Sequence, residues 1–424
     1  MFNCGQLTLA GSGKEKVFSF LNGVIPLLTG IYIFFNPFPH TTAIKELCFY
    51  ISVLALIALI IFKKTGFSFR SPLSPSFLLF FLWGVFGLFF TLDIANSFHD
   101  LWAHFLKYVM VYFLLVNYFH LQKRLEIFSW VVVVSATIFS LWAIIIYYIV
   151  DGNPLSARLG VTFLEIHTDY IGFILIFALI LTLNKLLHHQ STLASSSLLI
   201  SSIILCATTL LTQSRGALIA LVAAIIILSF LNKKILVLLA IIILLVMTIP
   251  GFKERMNIKE LLHNERRQIN ALTMEIIKSY PLTGLGFGMQ IYGNTKLTDL
   301  KKFDSKLPKQ YQGGVGGMFI GSPHNTLLDV AVRTGIIGFI LFSSIIVTAL
   351  FMLWRAWQVA KDEYFKSWIV CVFAAFLSFM IAALFADTAF GPQAVVFYTI
   401  LAMITILWNI NKSATNARES QEHS

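Results

Sequence analysis

The chain has 424 residues, of which 58% are hydrophobic and 12% charged, with 40 phenylalanines, a mean hydropathy of +0.82 and a formal net charge of +11. A water-soluble domain carries about 25% charged residues, and apolar runs long enough to cross ~30 Å of hydrocarbon recur along this sequence. Uninterrupted runs such as ILVLLAIIILLVMTI also exclude the alternating pattern of a membrane β-barrel, so the expected class is an all-α polytopic membrane protein.

In chain order, the N-terminal MFNCGQLTLAGSGKEK is polar and lacks the apolar core and small-residue cleavage site of a secretory signal, so it is expected to be retained. Twelve spans come next, near 17–35, 44–62, 76–92, 101–119, 125–150, 170–187, 193–212, 215–231, 234–250, 328–353, 367–387 and 391–409. Alternate connections carry KEK, FKKTGFSFR, QKR, NKL, NKK, WRAWQVAK and the tail NKSATNAR, whereas NPFPHTT, LDIANSFHD and DTAFGP on the other side carry almost no Lys or Arg. The positive-inside rule places both termini in the cytoplasm. The expected organisation is spans 1–9 over 1–250, an external loop over 251–327, spans 10–12 over 328–409, and a cytoplasmic tail over 410–424. Cys4, Cys48, Cys206 and Cys371 are scattered, with no CxxC pair, and suggest neither a disulfide framework nor a zinc site.

The loop opens at Pro250-Gly251 and, over 251–321, holds eleven Lys/Arg against six Asp/Glu. Such an excess suits an anionic partner, phosphate groups or membrane phospholipid, or merely solvates a loop; nucleic acid is not an expected partner. Three basic positions fall on that side. LLTQSRGALIAL puts Arg215 in a tight turn, with Ser214 as candidate N-cap of the next helix. Backbone N–H groups at that helix start and the guanidinium favour an anion, although an interfacial arginine also snorkels to water with no ligand.

NERRQINALTMEIIKSYPLTGLGFG puts Arg266 and Arg267 at the start of an amphipathic helix. Its apolar face includes Ile269, Leu272, Ile276 and Ile277, Pro281 ends it, and GLGFG is a turn able to approach a substrate. In SPHNTLLDVAVRTGIIG, Ser322 is expected to cap and Pro323 to open a helix carrying His324 in its first turn. The helix dipole there disfavours the imidazolium, leaving a neutral general base, with Asn325 available to orient it or bind a sugar hydroxyl. A neutral base and guanidinium clamps at the lipid–water boundary fit glycosyl transfer with a lipid diphosphate as leaving group.

These stretches resemble the O-antigen ligase family, within the O-antigen ligase/polymerase superfamily. The resemblance rests on TQSRGA, on the Arg-Ala-Pro-GxGxG order from Arg266 to Gly288, on HNTLLDVAVRTGIIG, and on RLGVTF at 158–163. It implies a GT-C-like, metal-independent, inverting transferase with no cofactor. Such an enzyme sits in the inner membrane of a Gram-negative bacterium and moves O-antigen from undecaprenyl diphosphate to lipid A–core oligosaccharide at the periplasmic face. Carried over by motif, His324 is the base, and Arg215 with Arg266 or Arg267 holds the diphosphate. Arg158, Asn325 and His167 are further substrate contacts. The aromatic residue often found after the family's arginine is Asn270 here, and counting back from Pro281 selects Arg266.

Other polar residues receive lesser roles. EIHTD places Glu165, His167 and Asp169 on the external side, where they could ligate a metal or line an acceptor cavity, with no second ligand cluster evident. Lys107 lies within the fourth span and should face a cavity or an anion, at a depth nearer the cytoplasm. His188 and His189 face the cytoplasm, and Asp93 and Asp387 sit at external span ends with no special role. A polymerase or a protein O-oligosaccharyltransferase of the same superfamily is the nearest alternative. A transporter would show internal repeats and mid-membrane polar groups, and no repeat is seen.

Overall fold

A computed structural model describes residues 13–160, 168–188, 191–248, 265–312, 321–389 and 391–422, and no strand occurs among them. Each of the twelve expected spans is a helix. They are α1 (Gly13–Phe34), α2 (Thr42–Ile61), α3 (Ser74–Gly87), α4 (Ile94–Asp100) running into α5 (Lys107–Tyr118), α6 (Gln122–Ile144), α7 (Thr168–His188), α8 (Thr192–Leu211), α9 (Arg215–Leu228) and α10 (Ile235–Thr248). After the polar segment come α13 (Thr326–Val359), α14 (Glu363–Ala383) and α15 (Gly391–Glu422). Nine described helices are long and apolar enough to cross a membrane. The expected spans 76–92, 215–231 and 234–250 correspond instead to α3, α9 and α10, each of 14 residues. Fourteen residues reach only about 21 Å, short of ~30 Å. α3 stops at Gly87 because Leu88, Phe89 and Phe90 turn back onto the carbonyls of Val85, Phe86 and Gly87. α9 cannot begin before its cap at Ser214, and the last two residues of the expected span 234–250 lie outside the described residues.

Lipid removes the usual hydrophobic drive for helix association, so close approach of small residues matters. Gly216, Ala220 and Ala224 recur every four residues along α9 and are all buried. α9 packs against α14, whose Ala374, Ala375, Ala382 and Ala383 are buried too. α7 is buried all round from Tyr170 to Lys185, as is the first half of α15; these are the central helices. On α2 the apolar Leu47, Leu54 and Ile61 face outward, where hydrocarbon would surround them.

The polar segment builds a second, smaller core. α11 (Glu265–Ser279) buries Ile269, Leu272 and Ile276 against Leu285, Ile291, Tyr292, and Leu300 and Phe303 of α12 (Leu300–Asp304). The expected apolar face is present, and Val332 of α13 joins it. Burial pushes the Tyr292 phenol up to about 12, and its oxygen lies 2.7 Å from Thr273 Oγ1.

α13 is not one rod. Gly335, at φ 66° and ψ −173°, interrupts it, leaving 326–334 as a separate helical piece. The freed backbone groups are satisfied from outside. Thr334 O accepts from Trp83 Nε1 at 2.8 Å, Val332 O from Leu285 N at 2.9 Å, Arg333 O from Gly286 N at 3.0 Å, and Ile336 N donates to Pro281 O at 2.8 Å.

Candidate functional site

The segment between α14 and α15 organises the site. Thr326 Oγ1, at the start of α13, donates to Ala386 O at 2.8 Å and lies 3.0 Å from Thr388 Oγ1. Asp387 between them is buried. Its Oδ1 accepts from Ser322 Oγ at 2.7 Å, its Oδ2 from Tyr170 Oη at 3.1 Å, and its carbonyl from Gln393 Nε2 at 3.3 Å. Nothing in the local sequence marks this span-end aspartate, because its partners come from positions 170 and 322.

His324 faces that carboxylate, with Nδ1 3.7 Å from Asp387 Oδ1 and the imidazole 40% exposed. The helix begins later than expected. Asn325 is the N-cap, its Oδ1 accepting from Leu327 N at 3.0 Å and Leu328 N at 3.2 Å, while Ser322 is turned to Asp387. His324 therefore stands outside the helix, in a left-handed conformation with φ 50° that a non-glycine residue adopts only under constraint. Its nearest electrostatic partner is Asp387 rather than the helix dipole. The Asn325 oxygen belongs to the cap, so only its amide nitrogen remains for a substrate.

Ser214 caps α9 as expected, accepting from Ala217 N at 3.3 Å. The preceding turn passes through Gln213 at φ 48°, with Gln213 Nε2 donating to Ser156 O at 2.9 Å. Arg158 Nε donates to Thr212 O at 2.8 Å, and Leu159 N donates to Leu211 O at 2.9 Å. These bonds place Arg158 beside the turn that presents Arg215. Both arginines are half-buried.

Phe385 connects this turn to the second arginine position. A Cβ on Gly216 would meet Phe385 Cβ at 2.8 Å, so only glycine lets Phe385 pack against the start of α9. Arg266 places its guanidinium carbon 5.9 Å from the Phe385 ring centroid and is half-buried, while Arg267 is exposed. Residues 385–388 thus contact Arg266, His324 and Gly216, the residue after Arg215.

The GLGFG turn makes its close approaches to the protein itself. Gly284 sits at φ 69° and Gly286 at φ 125°; a Cβ on Gly284 would lie 2.6 Å from Val332 O, and one on Gly286 would overlap Thr91 Oγ1. The glycines let the turn pack on the break in α13 and on the 91–97 segment. Arg333 is buried there, with Nη1 donating to Asp329 Oδ2 at 3.2 Å and Nε to Phe287 O at 2.9 Å.

His167 and Glu165 lie outside the described residues, and nothing is described of the Asp169 side chain. Lys107 faces both an anion and a cavity as expected, pairing with Glu46 and lining a space of about 510 Å³. Its helix starts at Ile94 rather than near 101, so it lies in the middle of that helix rather than nearer one end. Among the described residues one group of three metal-ligating side chains comes together, His99, Asp100 and His104. The described cysteines Cys48, Cys206 and Cys371 are buried and form no disulfide.

Residues 200–343 match the family model described as O-antigen ligase, about a third of the chain. No curated protein matches the sequence. The matched stretch contains Arg215, Arg266, Arg267, His324 and the glycine turn, and ends before the 385–388 segment. The described helices are those of an integral membrane protein, and its stretch from residue 200 to 343 is similar to the O-antigen ligase family.

Proposed function

We propose that this protein is an O-antigen ligase, which transfers O-antigen polysaccharide from undecaprenyl diphosphate to lipid A–core oligosaccharide, completing lipopolysaccharide at the periplasmic face of the inner membrane, with both termini cytoplasmic. The observation that carries this reading is that Phe385 and Asp387 contact Arg266, His324 and the Gly216 turn that follows Arg215.

The chemistry rests on the donor set. His324 Nδ1 faces Asp387, so Nε2 is the nitrogen available to take a proton from the acceptor hydroxyl. Asp387, held by Ser322 and Tyr170, orients the ring and stabilises the imidazolium that forms. The deprotonated oxygen attacks the anomeric carbon of the donor sugar from the face opposite the diphosphate, and the carbon–oxygen bond to the diphosphate breaks with inversion. Charge develops on the leaving oxygens, where Arg215 and Arg266 supply the neutralisation a divalent ion gives elsewhere. Arg158 supports the Arg215 turn, and Arg267 extends the basic rim. The imidazolium returns its proton to water as the lipid diphosphate departs.

The test is transfer by purified protein from undecaprenyl-diphosphate-linked O-antigen to lipid A–core, followed as a gel mobility shift, with and without chelator. His324→Ala should lower the rate by about 10²–10⁴-fold, and chelation should leave transfer intact. Wild-type rates in the His324 variant would remove the base from the mechanism. Longer lipid-linked chains without core modification would make the protein a polymerase, and transfer to a protein acceptor would make it an O-oligosaccharyltransferase.

A further inference from the structure

Between α4 and α5 the helix changes its winding. Leu101–Leu106 form a π-helical turn, a rare geometry concentrated at functional sites. In an α-helix, side chains five residues apart diverge by about 140°. Here the wider turn brings the rings of His99 and His104 to 5.9 Å, with Asp100 between them. Asp100 Oδ1 lies 2.9 Å from His99 Nδ1 and 3.5 Å from His104 Nε2, and ligand atoms of all three residues lie within 4.8 Å of one another.

The Asp100 side chain is 5% exposed, and burying a carboxylate requires compensation. The neighbouring cations are matched to other acids, Lys107 to Glu46 and Arg333 to Asp329. The side chains that face Asp100 are two imidazoles, whose ring nitrogens lie 2.9 and 3.5 Å from its Oδ1. A cation held among the three would supply a countercharge.

We propose that His99, Asp100 and His104 form a binding site for a divalent transition-metal ion, with zinc the best match to two imidazole nitrogens and one carboxylate oxygen. An ion about 2.1 Å from each ligand in tetrahedral geometry sets ligand atoms about 3.4 Å apart. The 2.9 and 3.5 Å separations bracket that value, so the ion needs only the two histidines to draw together. The outer contact is in place, since Asp100 Oδ2 accepts from Met289 N at 2.7 Å, which fixes the carboxylate plane. His99 and His104 both line the 510 Å³ cavity, which provides an entry path and leaves a fourth position for water. Because Met289 comes directly after the glycine turn, the ion would clip α4 and α5 to the 284–289 segment. It is not a participant in the chemistry at His324.

The experiment uses the full-length protein in detergent, with any affinity tag removed. It is stripped with chelator, dialysed, and titrated with zinc chloride while zinc content and the thermal midpoint are followed. Wild type should retain about one zinc per chain and melt higher with zinc than without. His99→Ala, at an exposed position compatible with folding, should bind at least about tenfold more weakly and lose the thermal shift. His104→Ala and Asp100→Asn should behave alike. Failure of the wild type to retain zinc, or equal retention by His99→Ala, overturns the proposal. These readouts are independent of glycosyl transfer, so their failure leaves the transferase reading untouched.

Discussion

Among the described residues two arginines lie over phenylalanine rings, and they do opposite things. Arg333 sits 4.8 Å from the Phe287 centroid, buried, with its nitrogens donating to Asp329 and to the Phe287 carbonyl. Arg266 sits 5.9 Å from the Phe385 centroid, half-buried, at the start of a helix whose other face is in a core. The ring contact is common to both, so it does not identify a site. What distinguishes them is where each guanidinium is held. Arg333 is matched inside the fold to a carboxylate and a carbonyl, and holds a broken helix against a glycine turn. Arg266 borders solvent over Phe385, two residues from the Asp387 that faces His324.

Substitutions sharpen that contrast. Arg333→Ala leaves Asp329 buried without its countercharge and should destabilise the protein by about 3–5 kcal/mol, seen as a lowered thermal midpoint in detergent. Arg333→Met combined with Asp329→Leu should recover most of that loss; if it does not, the pair has a role beyond structure. Asp387→Asn keeps the size of the side chain but removes its charge facing His324. Transfer should fall by about 10²–10³-fold with a thermal midpoint close to wild type, measured as single-turnover rate. Arg266→Ala should lower transfer by about 10²-fold, or roughly 2.7 kcal/mol, with little change in stability. Arg267→Ala should change stability by less than about 0.5 kcal/mol and leave transfer within a few-fold. Equal losses in the two neighbours would mean that Phe385 does not select between them.

The helices were legible because each is announced by its own residues. Apolar runs marked a helix at each expected span, nine of them long enough to cross a membrane among the described residues, and the Ser-Arg-Gly order marked the cap at Ser214. The face of α11 was legible for the same reason, since Ile269, Leu272 and Ile276 keep helical spacing. What was not legible depends on partners distant in sequence. Asp387 acquires its place from Tyr170, Ser322 and His324, and Phe385 from Gly216 and Arg266. The glycines of GLGFG signalled a close approach without saying to what, and the answer was the backbone of α13. The expected cap at Ser322 was displaced because two residues compete for one helix start, and the left-handed turn at His324 gave it to Asn325. The His99–Asp100–His104 group is not legible in the sequence because a 3.6-residue period sends positions 99 and 104 to different faces, and the local winding is wider than that.

The interruption at Gly335 also bears on how the chain is made. A translocation channel sorts segments by length and apolarity as they emerge, and residues 336–359 alone reach about 36 Å, enough to span. Residues 326–334, with Asp329 and Arg333 among them, need not enter lipid with that segment. The 280–289 segment is synthesised before them, so it already stands on the same side when they emerge. They can stay in water there and dock onto Leu285, Gly286 and Pro281. The charged pair would thus be assembled beside the membrane rather than carried through the hydrocarbon.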